Sequence, residues 1–423
     1  MTIVLTLAAM FALLLMRVPV AFALGGLGLA MLILGGFSPL MAPQAVLSTL
    51  DGFILLAVPL FLLMSNILLR AGVGNDLFAA VSAWVGHWPG GLAVAPILSC
   101  GVFAAISGSS VATAATIGTV AIPEMINRGY NKRFVYGLLA AGGTLGILIP
   151  PSIPMIIYGF VTEESVISLF LAGIGPGIAL LVFFIIFSMI YARMGGQELE
   201  PKKDWAERKR ATIRALPSVV LAVLIISGIY SGAFTPTEAA AIGFAAALII
   251  TGPIMRVLTW DALKKAVFDS MATTVAIILI IAGAKVFGKA ITLYRIPQDI
   301  SVMITQGVDT ELGFILIVTA VLLVMGLVFE ALSMVLIMTP VLLPAALALG
   351  FDPIWFGVYM VIMVECALIT PPVGLNLYVI QSVAKARLGE VARGVAPFLL
   401  LMFACAALLY VWHDLALYIP FKL

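Results

Sequence analysis

Charged residues are scarce in this sequence. Lys, Arg, Asp and Glu make up 10% of its 423 residues, whereas they make up about a quarter of a typical soluble protein. Hydrophobic residues make up 63%, and the mean hydropathy is +1.22. The formal net charge of +2 gives no reason to expect nucleic-acid binding. The composition therefore predicts a polytopic membrane protein, all-α because lipid forces each segment to satisfy its own backbone.

Cysteine and histidine, which supply many nucleophiles and metal ligands, are also rare, with three and two residues. Cys100, Cys366 and Cys405 stand in apolar surroundings, where cysteine behaves as a small packing residue. The sequence has no His-Glu-x-x-His, no phosphate-binding Gly-x-x-x-x-Gly-Lys and no serine elbow. These absences disfavour an ATP-driven pump and an intramembrane hydrolase, so we do not expect an enzyme.

Long apolar runs predict ten spanning helices, since a span needs about 20 apolar residues. Two further apolar segments are too long for one span and are interrupted, at residues 107–110 and 330–333, so we interpret both as re-entrant hairpins. The predicted hairpins cover residues 91–128 and 312–349. The predicted helices cover residues 3–16, 18–36, 53–70, 134–160, 167–193, 212–230, 237–256, 271–292, 355–383 and 394–412.

The charged residues between these segments predict the orientation. Cytoplasmic loops carry an excess of Lys and Arg, and here the basic residues fall on one side, with Arg295 the main exception. The basic side holds Arg17, Arg70, Arg128, Lys132, Arg133, residues 193–214, Arg256, Lys264, Lys265, Lys385, Arg387 and Arg393; the other holds Asp51, Glu163, Glu164, Glu238, Asp309 and Glu311. We therefore predict both termini outside and a cytoplasmic linker at residues 194–214.

The two halves of the sequence match each other at an offset of 221 residues. The matched pairs are Pro123 with Pro344, Gly129 with Gly350, Pro150 with Pro371 and Pro151 with Pro372. Each half holds five predicted spans and one hairpin, and an odd number of spans inverts the second copy. We therefore predict an inverted repeat of residues 1–193 and 215–423. Inverted repeats with broken helices are typical of secondary transporters.

The first hairpin turns at Ser107-Gly108-Ser109-Ser110. Gly108 can adopt backbone angles closed to other residues, and three hydroxyl groups surround it. These oxygens, with the free carbonyls at a half-helix end, suit a hard cation such as Na⁺. The alternative is packing of small residues between helices, which is the expected role of the following alanines and threonines, Thr113 among them.

A double proline interrupts the predicted helix at residues 134–160. Proline removes a hydrogen-bond donor and clashes one turn back, which frees carbonyls around residues 146–149. The half-helix that follows offers unpaired amides to an anion. A simple kink is the alternative. The predicted sites of the first half are Na⁺ near Ser107, Gly108, Ser109, Gly146 and Pro150, and substrate at Ser110 and Ser152.

The second half repeats this pattern with different polar groups. An intramembrane acid is costly and defaults to a functional role, and Glu330 at the second tip could bind a cation or stabilise the tip. Asn376 offers an amide that can bind a carboxylate or hydroxyl group. The predicted sites are Na⁺ near Gly326, Glu330, Ser333, Thr370 and Pro372, and substrate at Thr370, Gly374 and Asn376.

Three other charged residues are predicted inside the membrane. Glu365 aligns with Thr144 at the 221-residue offset, and we expect it to serve a neighbouring helix or subunit. Lys285 and Lys289 lie in the predicted helix 271–292. We expect both lysines to snorkel or to pair, rather than to bind substrate.

Four stretches resemble the large membrane subunit of tripartite ATP-independent periplasmic (TRAP) transporters, and the resemblance extends over essentially the whole chain. They are residues 107–110 continuing to Ala121-Ile122-Pro123-Glu124-Met125, residues 143–158, Phe329-Glu330-Ala331-Leu332-Ser333-Met334 and residues 370–378. The resemblance implies import of organic acids, such as C4-dicarboxylates or sialic acid, driven by a Na⁺ gradient. It also implies an elevator-type movement, in which a transport domain with both hairpins and both broken helices slides against a scaffold.

The resemblance implies partners and a location as well. The family works with a small four-helix membrane subunit, here expected as a separate chain, and with a soluble periplasmic binding protein, in the inner membrane of a bacterium. Na⁺ coupling is favoured over H⁺ because the tips offer carbonyls and hydroxyls and no chain of titratable groups. The alternatives are a stand-alone elevator carrier of the divalent-anion/Na⁺ symporter type and, more distantly, a membrane-embedded enzyme.

Overall fold

A computed structural model describes residues 2–195, 201–307 and 310–422, which form helices and connecting turns without a β-strand. The helices of the first half are α1 (Thr2–Leu15), α2 (Val20–Leu34), α3 (Met41–Leu50), α4 (Ala57–Arg70, preceded by a 3₁₀ turn, Phe53–Leu56), α5 (Val73–Val85), α6 (Gly91–Ser107), α7 (Ser110–Asn127), α8 (Lys132–Leu148), α9 (Ile153–Thr162) and α10 (Val166–Met194).

The helices of the second half begin after the segment that joins the halves. They are α11 (Trp205–Tyr230), α12 (Pro236–Ile249, continued by a π turn, Ile250–Ile254), α13 (Trp260–Leu293), α14 (Ile296–Gly307), α15 (Glu311–Met325), α16 (Ala331–Ala348), α17 (Pro353–Ile369), α18 (Leu375–Ala384), α19 (Leu388–Val411) and α20 (Asp414–Lys422). The all-helical membrane fold predicted from the sequence is confirmed.

The lengths of the helices limit which of them can cross a membrane alone. Among the described residues, seven helices of 18 residues or more are apolar enough to span, and α8 with α9 forms an eighth, bent by 40°. The predicted spans 3–16 and 18–36 correspond to α1 and α2, which have only 14 and 15 residues. The predicted span 355–383 is two short helices, α17 and α18.

Four short helices, α3, α5, α14 and α20, do not appear among the predicted elements. Each has 9 to 13 residues, so a search for runs of about 20 apolar residues passes over them. The helix α11 begins at Trp205 because Asp204 caps it, its Oδ1 accepting from the Trp205 N–H at 2.7 Å. The predicted linker 194–214 is therefore helical from residue 205. Residues 196–200 and Asp309 lie outside the described residues.

The predicted interruptions agree with the helix ends, with one shift. Helix α6 ends at Ser107 and α7 begins at Ser110, as predicted. The second hairpin was predicted to break at 330–333, but its connection covers residues 326–330, because Glu330 already stands at the N-cap of α16. Both broken helices are interrupted at their double prolines.

Two groups of helices meet at the four interruptions. In the first group, α8 packs against α6, α7, α17, α18 and α19. In the second group, α13 lies along α2, α3 and α4, and α4 also packs against α12. An ion pair between Arg70 and Asp269 joins α4 to α13. The groups touch where α4 contacts α6 and α7 and where α13 contacts α16, and the candidate site lies there.

Candidate substrate and cation site

The first hairpin tip, residues 107–110, is a closed network of oxygen atoms. The Thr113 hydroxyl donates to the Ser109 carbonyl at 2.8 Å, and the Ser107 and Thr113 hydroxyl oxygens are also 2.8 Å apart. The Ser109 Oγ caps α7, accepting from the Ala112 N–H at 3.4 Å. Thr113 was predicted to serve packing only, but it shares this network of oxygens suited to a cation.

The first tip lies directly against the first broken helix. Gly108 has φ +61°, and a Cβ atom there would lie 2.7 Å from the Pro151 carbonyl oxygen. A Cβ atom on Gly146 would lie 2.5 Å from the Ser109 carbonyl oxygen. Only glycine leaves room for these backbone contacts, so both positions need a glycine for the tip and the helix to come together. The predicted residues Ser107, Gly108, Ser109 and Gly146 are thus neighbours, with Pro150 in the adjoining loop.

The second hairpin tip, residues 326–330, holds one carboxylate. Glu330 is half-buried at the N-cap position of α16, and its side chain makes no capping bond to the backbone. The Ser333 hydroxyl donates to Glu330 Oε1 at 3.4 Å. Gly326 packs against α17, where an added Cβ would lie 2.3 Å from the Cβ of Ala367. The structure therefore brings Glu330 and Ser333 together, whereas Gly326 lies at the other end of the connection between α15 and α16.

The second broken helix carries the remaining predicted residues. The Thr370 hydroxyl donates to the Cys366 carbonyl at 2.6 Å, so its proton is already used within α17. Gly374 stands at the N-cap of α18 with φ +42°. Asn376 is completely buried, at 0% exposure, and neither its Oδ1 nor its Nδ2 has a hydrogen-bond partner. An unpaired buried amide is costly, so Asn376 is the residue here best suited to a ligand.

A cavity of about 380 Å³ lies where the tips meet the second group of helices. The first residues of α7, α9, α16 and α18 all line it: Ser110, Val111 and Ala112, Ile153 and Pro154, Ala331 and Leu332, and Leu375. The opposite wall belongs to α4 and α13. Four helix N-termini, each with a positive dipole end, therefore face one space, and one amide of α7 and one of α9 are already capped by serine side chains.

The predicted site residues divide between this cavity and the protein behind it. Gly108, Ser109, Ser110 and Glu330 line the cavity. The others lie outside the lining, namely Ser107, Gly146, Pro150, Ser152, Gly326, Ser333, Thr370, Pro372, Gly374 and Asn376. Ser152 is fully buried and caps α9 through the Met155 N–H at 3.4 Å, so in this conformation it stabilises a helix end and does not reach the cavity.

The wall formed by α4 and α13 was missed by the sequence analysis. It presents Ser65, Asn66 and Thr273 to the cavity. The Asn66 Nδ2 donates to the Ser270 hydroxyl at 2.8 Å, which fixes the amide against α13. The sequence feature that indicates this wall is the amide of Asn66 within the apolar run 53–70, since polar residues inside a membrane helix are costly and tend to be functional.

Glu365 lies behind the first tip. Its carboxyl group is 1% exposed and sits beside the Ser110 hydroxyl, yet neither carboxyl oxygen reaches hydrogen-bond geometry. Glu365 belongs to α17 and Ser110 to α7, so the contact joins the second half of the chain to the first. Because no hydrogen bond forms there, the expectation that Glu365 serves a neighbouring helix or subunit stays a prediction.

The arrangement suits small hard ions better than transition metals. The described residues contain no group of three or more His, Cys, Asp or Glu side chains that could hold a metal ion. Hydroxyls, carbonyls and one carboxylate are the ligands available at the tips, and such oxygens bind hard cations. The helix N-termini around the cavity favour an anion. The groups suited to a cation and those suited to an anion therefore lie side by side.

Comparison with known proteins gives one family. The model for the DctM component of tripartite ATP-independent periplasmic transporters matches residues 7–415. The C4-dicarboxylate TRAP transporter large permease protein DctM of Pseudomonas aeruginosa is 40% identical over 354 residues, 84% of this chain and 83% of that protein.

Two further similarities differ in extent. The isethionate TRAP transporter permease protein DctMQ of Oleidesulfovibrio alaskensis is 34% identical over 389 residues, which are 92% of this chain but only 61% of that protein. Among solved structures, the YdaH transporter of Alcanivorax borkumensis aligns over 87% of each chain, at 14% identity and a TM-score of 0.49. That likeness is too weak to bear on the fold or the function.

Proposed function

Because the chain belongs to the DctM family of TRAP transporter large permeases, we propose that it imports organic anions by Na⁺ symport across the inner membrane of a bacterium. The observation that carries this proposal is the cavity lined by both hairpin tips and by four helix N-termini. An anion gains from the unpaired amides there. A cation gains from the tip oxygens beside them, so that each ion favours binding of the other.

The class of substrate follows from the cavity and from the named relatives. The DctM relative is named for C4-dicarboxylates and the DctMQ relative for isethionate, so both names denote organic acids, one a carboxylate and one a sulfonate. Helix N-termini bind either kind of group. Sialic acid and related carboxylates are candidates on the same ground. Asn376 lies outside the cavity lining in this conformation, and its buried, unpaired amide would join the site when the substrate is bound.

Two Na⁺ sites are proposed, one in each half. The first uses the network of Ser107, Ser109 and Thr113, and the second uses Glu330 with Ser333. The matching of the halves at 221 residues supports an inverted repeat, since the two double prolines and the two hairpins correspond. Transport by an elevator movement is supported by the two groups of helices, with the group around α8 sliding against α4 and α13.

The partners are a small four-helix membrane subunit and a soluble periplasmic binding protein, as the word tripartite in the family's description suggests. The DctMQ relative is longer than this chain, which covers 61% of it.

The test is uptake by proteoliposomes that hold this chain with a small membrane subunit from the same genome. Succinate, isethionate and sialic acid are offered in turn, with and without the periplasmic binding protein, and with Na⁺ or K⁺ outside. We expect uptake of at least one anion only when both Na⁺ and the binding protein are present. Uptake that persists with K⁺ would refute Na⁺ coupling, and Na⁺-driven uptake without the binding protein would favour the stand-alone divalent-anion/Na⁺ symporter type.

A further inference from the structure

A second cavity, of about 470 Å³, lies along the same helix α13. Its lining includes Lys285 and Lys289 of α13, Gln44 and Ser48 of α3, and Pro340 of α16. Unlike the first cavity, it has basic side chains on its wall. The lysines lie near the end of α13 opposite Lys264 and Lys265, which is the end predicted to face the outside. Nothing in the proposed function has used these residues.

The position of Lys285 does not fit snorkelling into the lipid headgroups, whereas Lys289 is exposed. The Lys285 Nζ lies 4.6 Å from the centre of the Phe160 ring, so the ammonium points toward α9. Neither lysine forms an ion pair with another described residue. Two like charges four residues apart on one helix repel each other, and a cation within a membrane helix is itself costly. A ligand of opposite charge bound between the two lysines would offset both costs.

The two cavities lie one after the other along one face of α13. Thr273 and Ile277 line the first cavity, and Lys285 and Lys289 line the second, with Ile281 between them. These five residues follow one another at intervals of four, so they form one ridge of the helix. Lys285 is twelve residues beyond Thr273, which corresponds to ~18 Å along the axis at 1.5 Å per residue.

We propose that Lys285 and Lys289 form a second anion-binding position, to which the hairpin tips carry the organic anion when they slide along α13. This inference rests on the proposed function, since it requires an anionic substrate and a sliding group of helices. At the first position the wall of α4 and α13 offers the neutral polar groups of Ser65, Asn66 and Thr273. At the second it offers two positive charges, so the anion is held more tightly on the side from which it enters.

The first experiment measures the charge of the second cavity without requiring transport. Ser48, which is exposed in this cavity, is changed to cysteine in the full chain with its small subunit. Its reaction rates with an anionic sulfonatoethyl and a cationic trimethylammonioethyl methanethiosulfonate are then compared. The parent chain is the control for background, because its three cysteines are buried.

With both lysines present, we expect the anionic reagent to react faster. Replacing Lys285→Gln and Lys289→Gln together should lower the ratio of anionic to cationic rates about tenfold, since both positive charges line the cavity and act on the reagent at short range. Lys264→Gln is the matched control, because Lys264 also lies over an aromatic ring, that of Trp260 at 5.4 Å, but at the other end of α13. An unchanged ratio in the double variant would overturn the anion site.

The second experiment asks whether that site serves the substrate. The KM for uptake from the outside is measured for whichever of succinate, isethionate and sialic acid the wild-type complex carries. The double lysine variant should raise this KM about tenfold, the loss of one charge-assisted contact, and Lys264→Gln should not. An unchanged KM alongside a lowered labelling ratio would overturn the role in transport. If the wild type carries none of the three, the proposed function fails for them, while the labelling still decides whether the cavity is an anion site.

Discussion

The loop at residues 107–110 satisfies its oxygen atoms internally, whereas the loop at residues 326–330 does not. In the first loop, Ser107, Ser109 and Thr113 form one hydrogen-bonded network. In the second, Glu330 receives one long hydrogen bond, 3.4 Å from Ser333, and leaves the N-terminus of α16 uncapped by a side chain. The first loop is closed, and the second keeps a charged group free to bind.

The two double prolines show the same difference between the halves as the two loops do. Pro150 and Pro151 are buried, and Ser152 caps the half-helix that follows them. Pro371 and Pro372 are exposed, and the half-helix after them has Gly374 at its N-cap with no side-chain bond. The 221-residue offset places Met155 opposite Asn376. An apolar residue thus occupies the place at which the second half buries an unpaired amide.

These differences indicate a division of labour between the halves. The first half has its contacts in place before any ligand binds, which lowers the cost of binding. The second half keeps polar groups unpaired, and such groups pay a desolvation penalty until a ligand meets them. We therefore expect substitutions in the second half to act mainly on transport, and substitutions in the first half to act mainly on stability.

The largest effect is expected from Glu330→Gln, which removes the only charged group of either tip. A charge-assisted contact is worth up to about 3 kcal/mol, so we expect Na⁺-driven uptake to fall about 100-fold. Uptake is measured in proteoliposomes over a range of Na⁺ concentrations. The matched control is Glu311→Gln, an exposed acid at the start of α15. If uptake by the wild type and by Glu330→Gln depends equally on the Na⁺ concentration, the carboxylate does not distinguish the second tip from the first in function.

The second effect concerns the stability of the first half. Gly108→Ala should lower the free energy of unfolding by about 2 kcal/mol more than Gly350→Ala does, the typical cost of overpacking. Both glycines have positive φ, but only Gly108 faces a backbone atom, since a Cβ on Gly350 would meet nothing within 4 Å. Thermal unfolding of the purified complex measures the difference. Equal loss in both variants would show that the contact with Pro151 does not matter.

The interruptions of the helices could be predicted from sequence because proline and glycine act locally. Pro150 and Pro151 end a helix in any surroundings, and Gly108 next to three serines predicts a turn. The predicted second break, 330–333, begins four residues late, because an acid inside an apolar segment indicates a break at Glu330 itself, while its role as N-cap depends on where α16 begins. Gly326, the first residue of the connection, is the residue in the sequence that indicates where the break starts.

The scaffold side of the site could not be predicted in this way. Asn66 and Ser270 are 204 residues apart in the sequence, and only the packing of α4 on α13 makes them partners. The same holds for Glu365 and Ser110, which meet because α17 of one half passes α7 of the other. No local pattern connects such pairs. Short helices such as α5 also depend on tertiary contacts, since helices of this length are marginal alone.

A third prediction makes the second half resemble the first. Asn376→Met introduces the residue found at the matching place, Met155. Replacing an unpaired buried amide by an apolar side chain of similar length should leave the free energy of unfolding unchanged or raise it, while uptake falls about tenfold through loss of one ligand contact. Asn75→Met, at an exposed position of α5, is the control. Loss of stability without loss of uptake would assign Asn376 to the fold.

The smallest effect is expected from Ser109→Ala, because the first tip keeps its other oxygens. The Ser109 Oγ caps α7 through a long bond of 3.4 Å, and loss of an N-cap costs about 1 kcal/mol. Ser165→Ala is the matched control, since Ser165 caps α10 in the same manner through the Ser168 N–H at 3.2 Å. Both variants should lose similar stability, measured by thermal unfolding.

Only Ser109→Ala should also weaken Na⁺ activation of uptake, by about fivefold, if its hydroxyl contributes a cation ligand worth ~1 kcal/mol. Equal Na⁺ activation in the two variants would leave Ser109 a helix cap and confine the first Na⁺ site to Ser107, Thr113 and the backbone carbonyls.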